Sequence, residues 1–263
     1  MEKYNAIYQD SILNKESFWA AQAARIRWYK QPSVILSQNE KGFYRWFADG
    51  EINMAALCLD HQVELGRGDQ TALIYDSPVS KTVKRYTYRE LLELVSRFAG
   101  GLQQRGVTKG DTVVIYMPMI PQAVIAMLAC ARIGAIHSVV FGGFAPHELA
   151  MRIDDAHPKA VISASFGIEF DKIIPYKPLV DKAIGEATHK PPLHIFYERN
   201  GMYDQLDGVT EIEFDLLLQA EPAGPVPVLS TDPLYILYTS GTTGKPKGII
   251  RDHGGYATAL KFS

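Results

Sequence analysis

Val113-Val114-Ile115-Tyr116-Met117, then Pro121 through Ile133, then Ile136-His137-Ser138-Val139-Val140-Phe141 form the stretch whose reading decides the fold. The first run is apolar at every position, the form of a strand buried on both faces. The spacing predicts a helix over 120–133, with Pro121 in the first turn, where its missing N–H costs nothing. Ile136 to Phe141 is β-branched and aromatic and reads as a second strand. Strand, helix and strand in this order make a βαβ unit, and such crossovers join parallel neighbours.

Outward from this unit the alternation continues. Pro146 to Asp155 reads as a helix, Ala160 to Ser163 as a strand, Leu179 to Glu186 as a helix, Leu193 to Tyr197 as a strand and Leu234 to Tyr238 as the last strand. On the other side, Ala72 to Tyr75 is a strand followed by a turn at Asp76-Ser77-Pro78. Thr87 is placed to cap a helix, with Glu90 completing a capping box and Leu91, Leu94, Val95, Phe98 and Leu102 forming one apolar stripe up to Gly106. The expected class is α/β, a largely parallel sheet flanked by helices. Residues 1–65 show no sustained period and read as an irregular, partly helical lead-in to a domain spanning 66–263. Its aromatics, Trp19, Trp28, Tyr29, Phe43, Tyr44, Trp46 and Phe47, are interrupted by Asp49, Glu51 and Asp60, so packing onto the following domain is expected rather than base stacking.

The 263 residues carry a formal net charge of -2 and 47% hydrophobic residues, which excludes disorder and gives no electrostatic reason for nucleic acid or an acidic membrane surface as partner. A small-molecule partner is expected. Cys58 and Cys130, the two cysteines, sit in apolar surroundings and read as reduced thiols. Met1 to Asp10 has neither a basic and apolar leader pattern nor transit-peptide character, and Ala123 to Ala131 is too short to span a bilayer; a cytoplasmic location is expected. His137, His147 and His157 show no metal-binding spacing, and no metal ligand is assigned.

After the last expected strand comes Thr239-Ser240-Gly241-Thr242-Thr243-Gly244-Lys245-Pro246-Lys247-Gly248. Glycines let backbone N–H groups approach phosphate oxygens, hydroxyls add neutral donors, and lysines offset charge where pyrophosphate leaves. The P-loop of nucleoside triphosphatases needs a glycine where Thr239 stands and a hydroxyl residue where Pro246 stands, so that reading fails. An ordinary polar loop stays open on composition alone.

Tyr238 to Gly248 resembles the signature loop of the acyl-adenylate-forming superfamily, which includes acyl-CoA synthetases, luciferases and peptide-synthetase adenylation domains. Trp46 to Gly50, Asn53, Cys58 to Asp60, Tyr116 to Met119, Met127 to Gly134 and His137 to Phe144 are similar to the acetyl- and propionyl-CoA synthetase branch, and the likeness covers almost the whole chain. Gly248-Ile249-Ile250-Arg251-Asp252-His253-Gly254-Gly255 looks more like propionate than acetate ligases. The resemblance implies the N-terminal part of the large adenylate-forming domain and two half-reactions. A short-chain carboxylate attacks the α-phosphorus of ATP, held with Mg²⁺, and CoA thiol then displaces AMP.

By the same resemblance Thr239, Ser240, Gly241, Thr242, Thr243, Gly244, Lys245 and Lys247 hold the ATP phosphates, with Lys247 the best candidate for a catalytic effect. CoA falls to Gly142 and Gly143 and to Glu169, Phe170, Asp171 and Lys172. This chain departs from the pattern there, since relatives carry Gly then Arg where Asp171 and Lys172 stand. A lysine lacks the bidentate fork of arginine, so weaker CoA binding is expected. The family's adenine contacts, Mg²⁺-binding acid and catalytic lysine lie downstream of this loop. The reading is therefore of an N-terminal portion, inactive alone, whose last helix starts near His253 and is cut at Ser263. A noncatalytic nucleotide- or CoA-binding module and a non-functional fragment remain alternatives.

Overall fold

The computed structural model describes residues 2–170, 172–199, 205–239 and 246–263. Seven strands form the central sheet: β1 (Thr112–Met117), β2 (Ile136–Phe141), β3 (Ala160–Ala164), β4 (Leu193–Tyr197), β5 (Glu211–Glu213), β6 (Pro233–Thr239) and β7 (Lys247–Asp252). Their order is β5-β4-β3-β1-β2-β6-β7. All neighbours are parallel except β6 and β7. Strand β7 corrects the expectation that Leu234 to Tyr238 is the last strand. It is an antiparallel edge, and its mostly exposed residues carry no buried-strand signal.

Five helices accompany the sheet: α1 (Tyr88–Gln104), α2 (Pro121–Ile133), α3 (Pro146–Ala156), α4 (Lys177–Glu186) and α5 (His253–Phe262). Local chemistry sets their ends. Thr87 and Glu90 make the reciprocal capping box of α1. Pro121 opens α2, and Gly134, at φ 75°, closes it in the left-handed conformation that glycine adopts without strain. The chain steps from β1 to β2 in one direction and from β2 back across β1 to β3 in the other. Right-handed crossovers in opposite directions put α2 and α3 on opposite faces; α1 packs with α2, and α3 with α4. Val113, Val114, Ile115 and Tyr116 in the middle are fully buried.

Of the antiparallel hairpins outside the sheet, two border pockets. Thr71–Ser77 pairs with Thr82–Thr87, and Phe166–Glu169 pairs with Lys172–Pro175. Neither second strand was expected from the sequence, because pairing rather than apolar alternation holds these exposed residues extended.

The lead-in is partly helical, with helices at Glu2–Leu13 and Lys15–Ala23. Its aromatics pack only in part: Trp19 meets Trp46 edge-on, and Phe18 and Trp19 meet Phe262 of α5, whereas Tyr29, Phe43 and Tyr44 stay exposed. Buried Asn53 donates to the carbonyls of Ala131, Arg132 and Val226, all at 2.8–2.9 Å, and so fastens the lead-in to the end of α2. Beside it, Arg132 grips Asp60 with two hydrogen bonds of 2.7 and 3.0 Å. Cys58 and Cys130 are free thiols. Among the described residues, no helix is long and apolar enough to cross a membrane.

Candidate active site

The carboxyl ends of β1, β2, β3, β4 and β6 share one edge of the sheet, where ligands bind in open α/β folds, most often at the point where strand order reverses. Here the reversal lies between β2 and β3 on either side of β1. Of the residues expected to meet CoA, Gly142, Gly143 and Glu169 lie at that point. A pocket of about 130 Å³ is lined by Gly142 and Gly143 after β2, by Gly167 and Glu169 on the second hairpin, and by Tyr176.

Glycine is required at this turn. A Cβ on Gly142 would stand 2.7 Å from the Met117 carbonyl carbon and 2.6 Å from the Tyr176 ring, and one on Gly167 would collide with the Tyr176 hydroxyl. The Tyr116 hydroxyl accepts from the Gly143 N–H at 3.0 Å and donates to the Phe144 carbonyl at 2.9 Å, fixing the turn from below. Burial pushes the phenols of Tyr116 and Tyr176 upward, the latter to about 12, so both stay protonated donors at neutral pH. Neither tyrosine was among the expected site residues. A lone polar-tipped side chain in an aliphatic strand was the available signal for Tyr116.

Glu169 and Lys172 face each other as the register pair that flanks the hairpin tip. Phe170 at the tip is 90% exposed with φ 56°, while Asp171 lies outside the described residues. The tip therefore carries one exposed ring between two side chains of opposite sign.

The glycine- and lysine-rich segment connects β6 to β7. Thr239 ends β6 and pairs in register with Lys247, which begins β7; both are exposed. Ser240, Gly241, Thr242, Thr243, Gly244 and Lys245 lie outside the described residues. The base of the connection is anchored. The Tyr238 hydroxyl donates to Asp155 at 2.6 Å, and the Arg152 guanidinium lies 5.5 Å from the Tyr238 ring and 5.1 Å from that of Phe144. Arg152 is itself buried and bonded to Glu148 at 2.8 Å. One side chain of α3 thus touches both the β6 loop and the β2 glycine turn. Asp155 and Arg152 sit among the polar residues of an amphipathic helix, so nothing in their spacing marked them.

His137, His147 and His157 do not converge: the first is half-buried on β2, the second is exposed and the third caps α3 at φ 47°. Among the described residues, Asp181, His194 and Glu211 have ligand atoms within 4.8 Å of one another. The Lys177 ammonium lies against both carboxylates there and supplies their counter-charge.

Residues 59–263 match the AMP-binding enzyme family, and residues 4–58 match the acetyl-coenzyme A synthetase N-terminus. The chain is 49% identical over 263 residues to the human mitochondrial acyl-CoA synthetase short-chain family member 3, covering 99% of this chain and 38% of that protein. It is 44% identical over 263 residues to the propionate–CoA ligase of Escherichia coli K12, covering 99% and 42%. Its fold superposes on acetoacetyl-CoA synthetase from Streptomyces lividans with a TM-score of 0.89 and 25% identity, over 98% of this chain and 39% of that one. The chain thus spans about 40% of the length of these relatives. A β6–β7 connection bearing the adenylate-forming signature, on a parallel sheet with this lead-in, agrees with those matches, and the chain belongs to the AMP-binding enzyme family with an N-terminus of the acetyl-coenzyme A synthetase type.

Proposed function

We propose that this chain is the phosphate-gripping part of an AMP-forming acid–thiol ligase that converts a short-chain carboxylate, ATP and CoA to an acyl-CoA. The observation that carries the reading is the β6–β7 hairpin, which closes Thr239 on Lys247 at the same sheet edge as the Gly142–Gly143 turn. In this reading the carboxylate attacks the α-phosphorus, pyrophosphate leaves, and CoA thiol then displaces AMP from the acyl-adenylate. Ser240, Thr242, Thr243, Lys245 and Lys247, with the backbone N–H groups of Gly241 and Gly244, hold the β- and γ-phosphates. In-line displacement depends on such positioning and charge stabilisation. The loop offers hydroxyls and amines and no carboxylate, a donor set that does not hold Mg²⁺ by itself. The ion enters with the nucleotide.

Lys247→Ala is expected to slow ATP–pyrophosphate exchange by about 10²–10³-fold, the range for loss of one charge-stabilising donor. The side chain is exposed, so the fold should hold. The assay uses a full-length protein carrying this sequence. Exchange at the parental rate would remove Lys247 from the mechanism.

CoA is proposed to pass Gly142 and Gly143 and to meet the segment Glu169, Phe170, Asp171 and Lys172, in which Lys172 is the cation for its phosphates. Propionate is proposed over acetate on the strength of Gly248 to Gly255. Asp252 in that segment has a structural task, since its carboxylate accepts from the Gly255 N–H at 3.0 Å as the N-cap of α5. One methylene in an apolar pocket is worth roughly 1–3 kcal/mol, so kcat/KM for propionate should exceed that for acetate by about tenfold or more. Equal values for the two acids would return the reading to short-chain acids in general.

A further inference from the structure

The geometry points to a second anion site, for a phosphate-sized oxyanion, between the Thr71–Ser77/Thr82–Thr87 hairpin and the carboxyl ends of β1 and β4. The pocket has a volume of about 150 Å³ and is lined by Lys84, Arg199, Tyr75, Thr82, Gln122 and Tyr197 among others. Two cations, hydroxyls and a carboxamide make an anion-binding lining.

Arg199 supplies the strongest observation. Its residue is 9% exposed, and among the described residues it has no carboxylate partner; nor has Lys84. The guanidinium donates through Nη1 to the Phe166 carbonyl at 2.7 Å and lies 4.7 Å from the Phe166 ring. Its backbone N–H donates to the Ser165 hydroxyl at 2.9 Å. These contacts hold the side chain in place, and among the described residues they are all to uncharged groups. Burial of a guanidinium is costly unless an opposite charge meets it, and an anion in the adjoining pocket would supply one.

The helix beside it adds to the field. The first turn of the 13-residue α2 lines the pocket through Ile120, Pro121 and Gln122, and the N-cap Ile120 provides no capping side chain. The orphan N–H groups and positive end of the macrodipole at such a terminus favour an anion. The pocket has room for a tetrahedral oxyanion.

The site is separate from the β6–β7 loop. Arg199 follows β4, which is four strands from β6 in the order β4-β3-β1-β2-β6, or about 19 Å at the usual strand spacing. An anion here is therefore distinct from ATP phosphates held at Lys247. Free inorganic phosphate and the terminal phosphomonoester of a larger molecule share the required chemistry.

The test is titration of this chain with inorganic phosphate, by calorimetry and by ³¹P line broadening. Saturable binding is expected, weakened at least tenfold by Lys84→Met and unchanged by Lys247→Ala. Lys84 is exposed, so its replacement should leave the far-ultraviolet circular dichroism intact, whatever Arg199→Met does to folding. Competition by CoA but not by 3′-dephospho-CoA would identify a terminal phosphomonoester as the source, and absence of competition by either would identify free phosphate. Failure of phosphate to saturate, or binding abolished by Lys247→Ala and indifferent to Lys84→Met, would overturn the assignment.

Discussion

Asp60→Ala is expected to destabilise the fold by about 3–5 kcal/mol, the usual cost of removing one partner from a buried ion pair. Arg132 is only 5% exposed, and its two Nη groups are taken by the two oxygens of Asp60 while Nε donates to the Ala223 carbonyl at 2.6 Å. Without the carboxylate, a guanidinium remains in the core between the lead-in and α2 with its charge uncompensated. The loss is a large fraction of the stability of an ordinary domain. Urea unfolding should show a lowered midpoint at unchanged slope. Replacing both partners, Asp60→Leu with Arg132→Met, should cost less than Asp60→Ala alone, because no unpaired charge is left. A single-mutant cost below about 1 kcal/mol would reduce the pair to a surface contact.

The second large effect is acid lability between pH 6.5 and 4. Burial holds His137 down to about 3, with the charge of His253 acting in the same direction. Burial likewise holds His194 to about 3, aided by Lys177. His253 is lowered to about 4, mainly by burial, against an opposing contribution from Asp232. Each is neutral in the fold, and each has one buried ring nitrogen without a hydrogen-bond partner among the described residues. A folded-state pKa below the unfolded value of 6.5 means that only the unfolded chain gains protons as pH falls through this window. Stability is therefore complete above pH 6.5 and lost progressively toward pH 4. One unit below 6.5 the loss is about 1.4 kcal/mol per histidine, or about 4 kcal/mol for the three. Asp49, held to about 2 chiefly by its hydrogen bond from Ser33, adds its own acid loss only below the carboxylate range. Urea midpoints at pH 7.5 and 5.5 test the effect. Equal midpoints would mean that these imidazoles are not buried in neutral form.

Much of the architecture was legible because its signals are local. Val113 to Met117 is apolar at every position, and a strand buried on both faces leaves no other pattern. Thr87 with Glu90, Pro121 and Gly134 mark helix ends through backbone groups within one turn of themselves. Residues 247–252 were not read as a strand, because Lys247-Gly248-Ile249-Ile250-Arg251-Asp252 combines a glycine, three charges and two isoleucines that stay exposed. Its strand form depends on hydrogen bonds to β6 across the intervening loop.

The candidate site divides the same way. Gly142 and Gly143, singled out through the family resemblance, stand at a turn where a Cβ on Gly142 would collide with Tyr176, and Lys247 opens β7. Tyr176 and the Asp155–Tyr238 hydrogen bond were not legible, since each joins residues far apart in the chain: Asp155 and Tyr238 are separated by 83 positions.

By itself, the amino-acid order determined the α/β class, the helix ends and the burial of the β1 strand. Each depends on periodicity or capping within a single element. Only the tertiary structure decided the strand order β5-β4-β3-β1-β2-β6-β7, the meeting of Gly142 with Gly167 beneath Tyr176, and the placing of Arg199 and Lys84 around one pocket. Those features are set by which distant segments share a face, and that is not carried by any one stretch of chain.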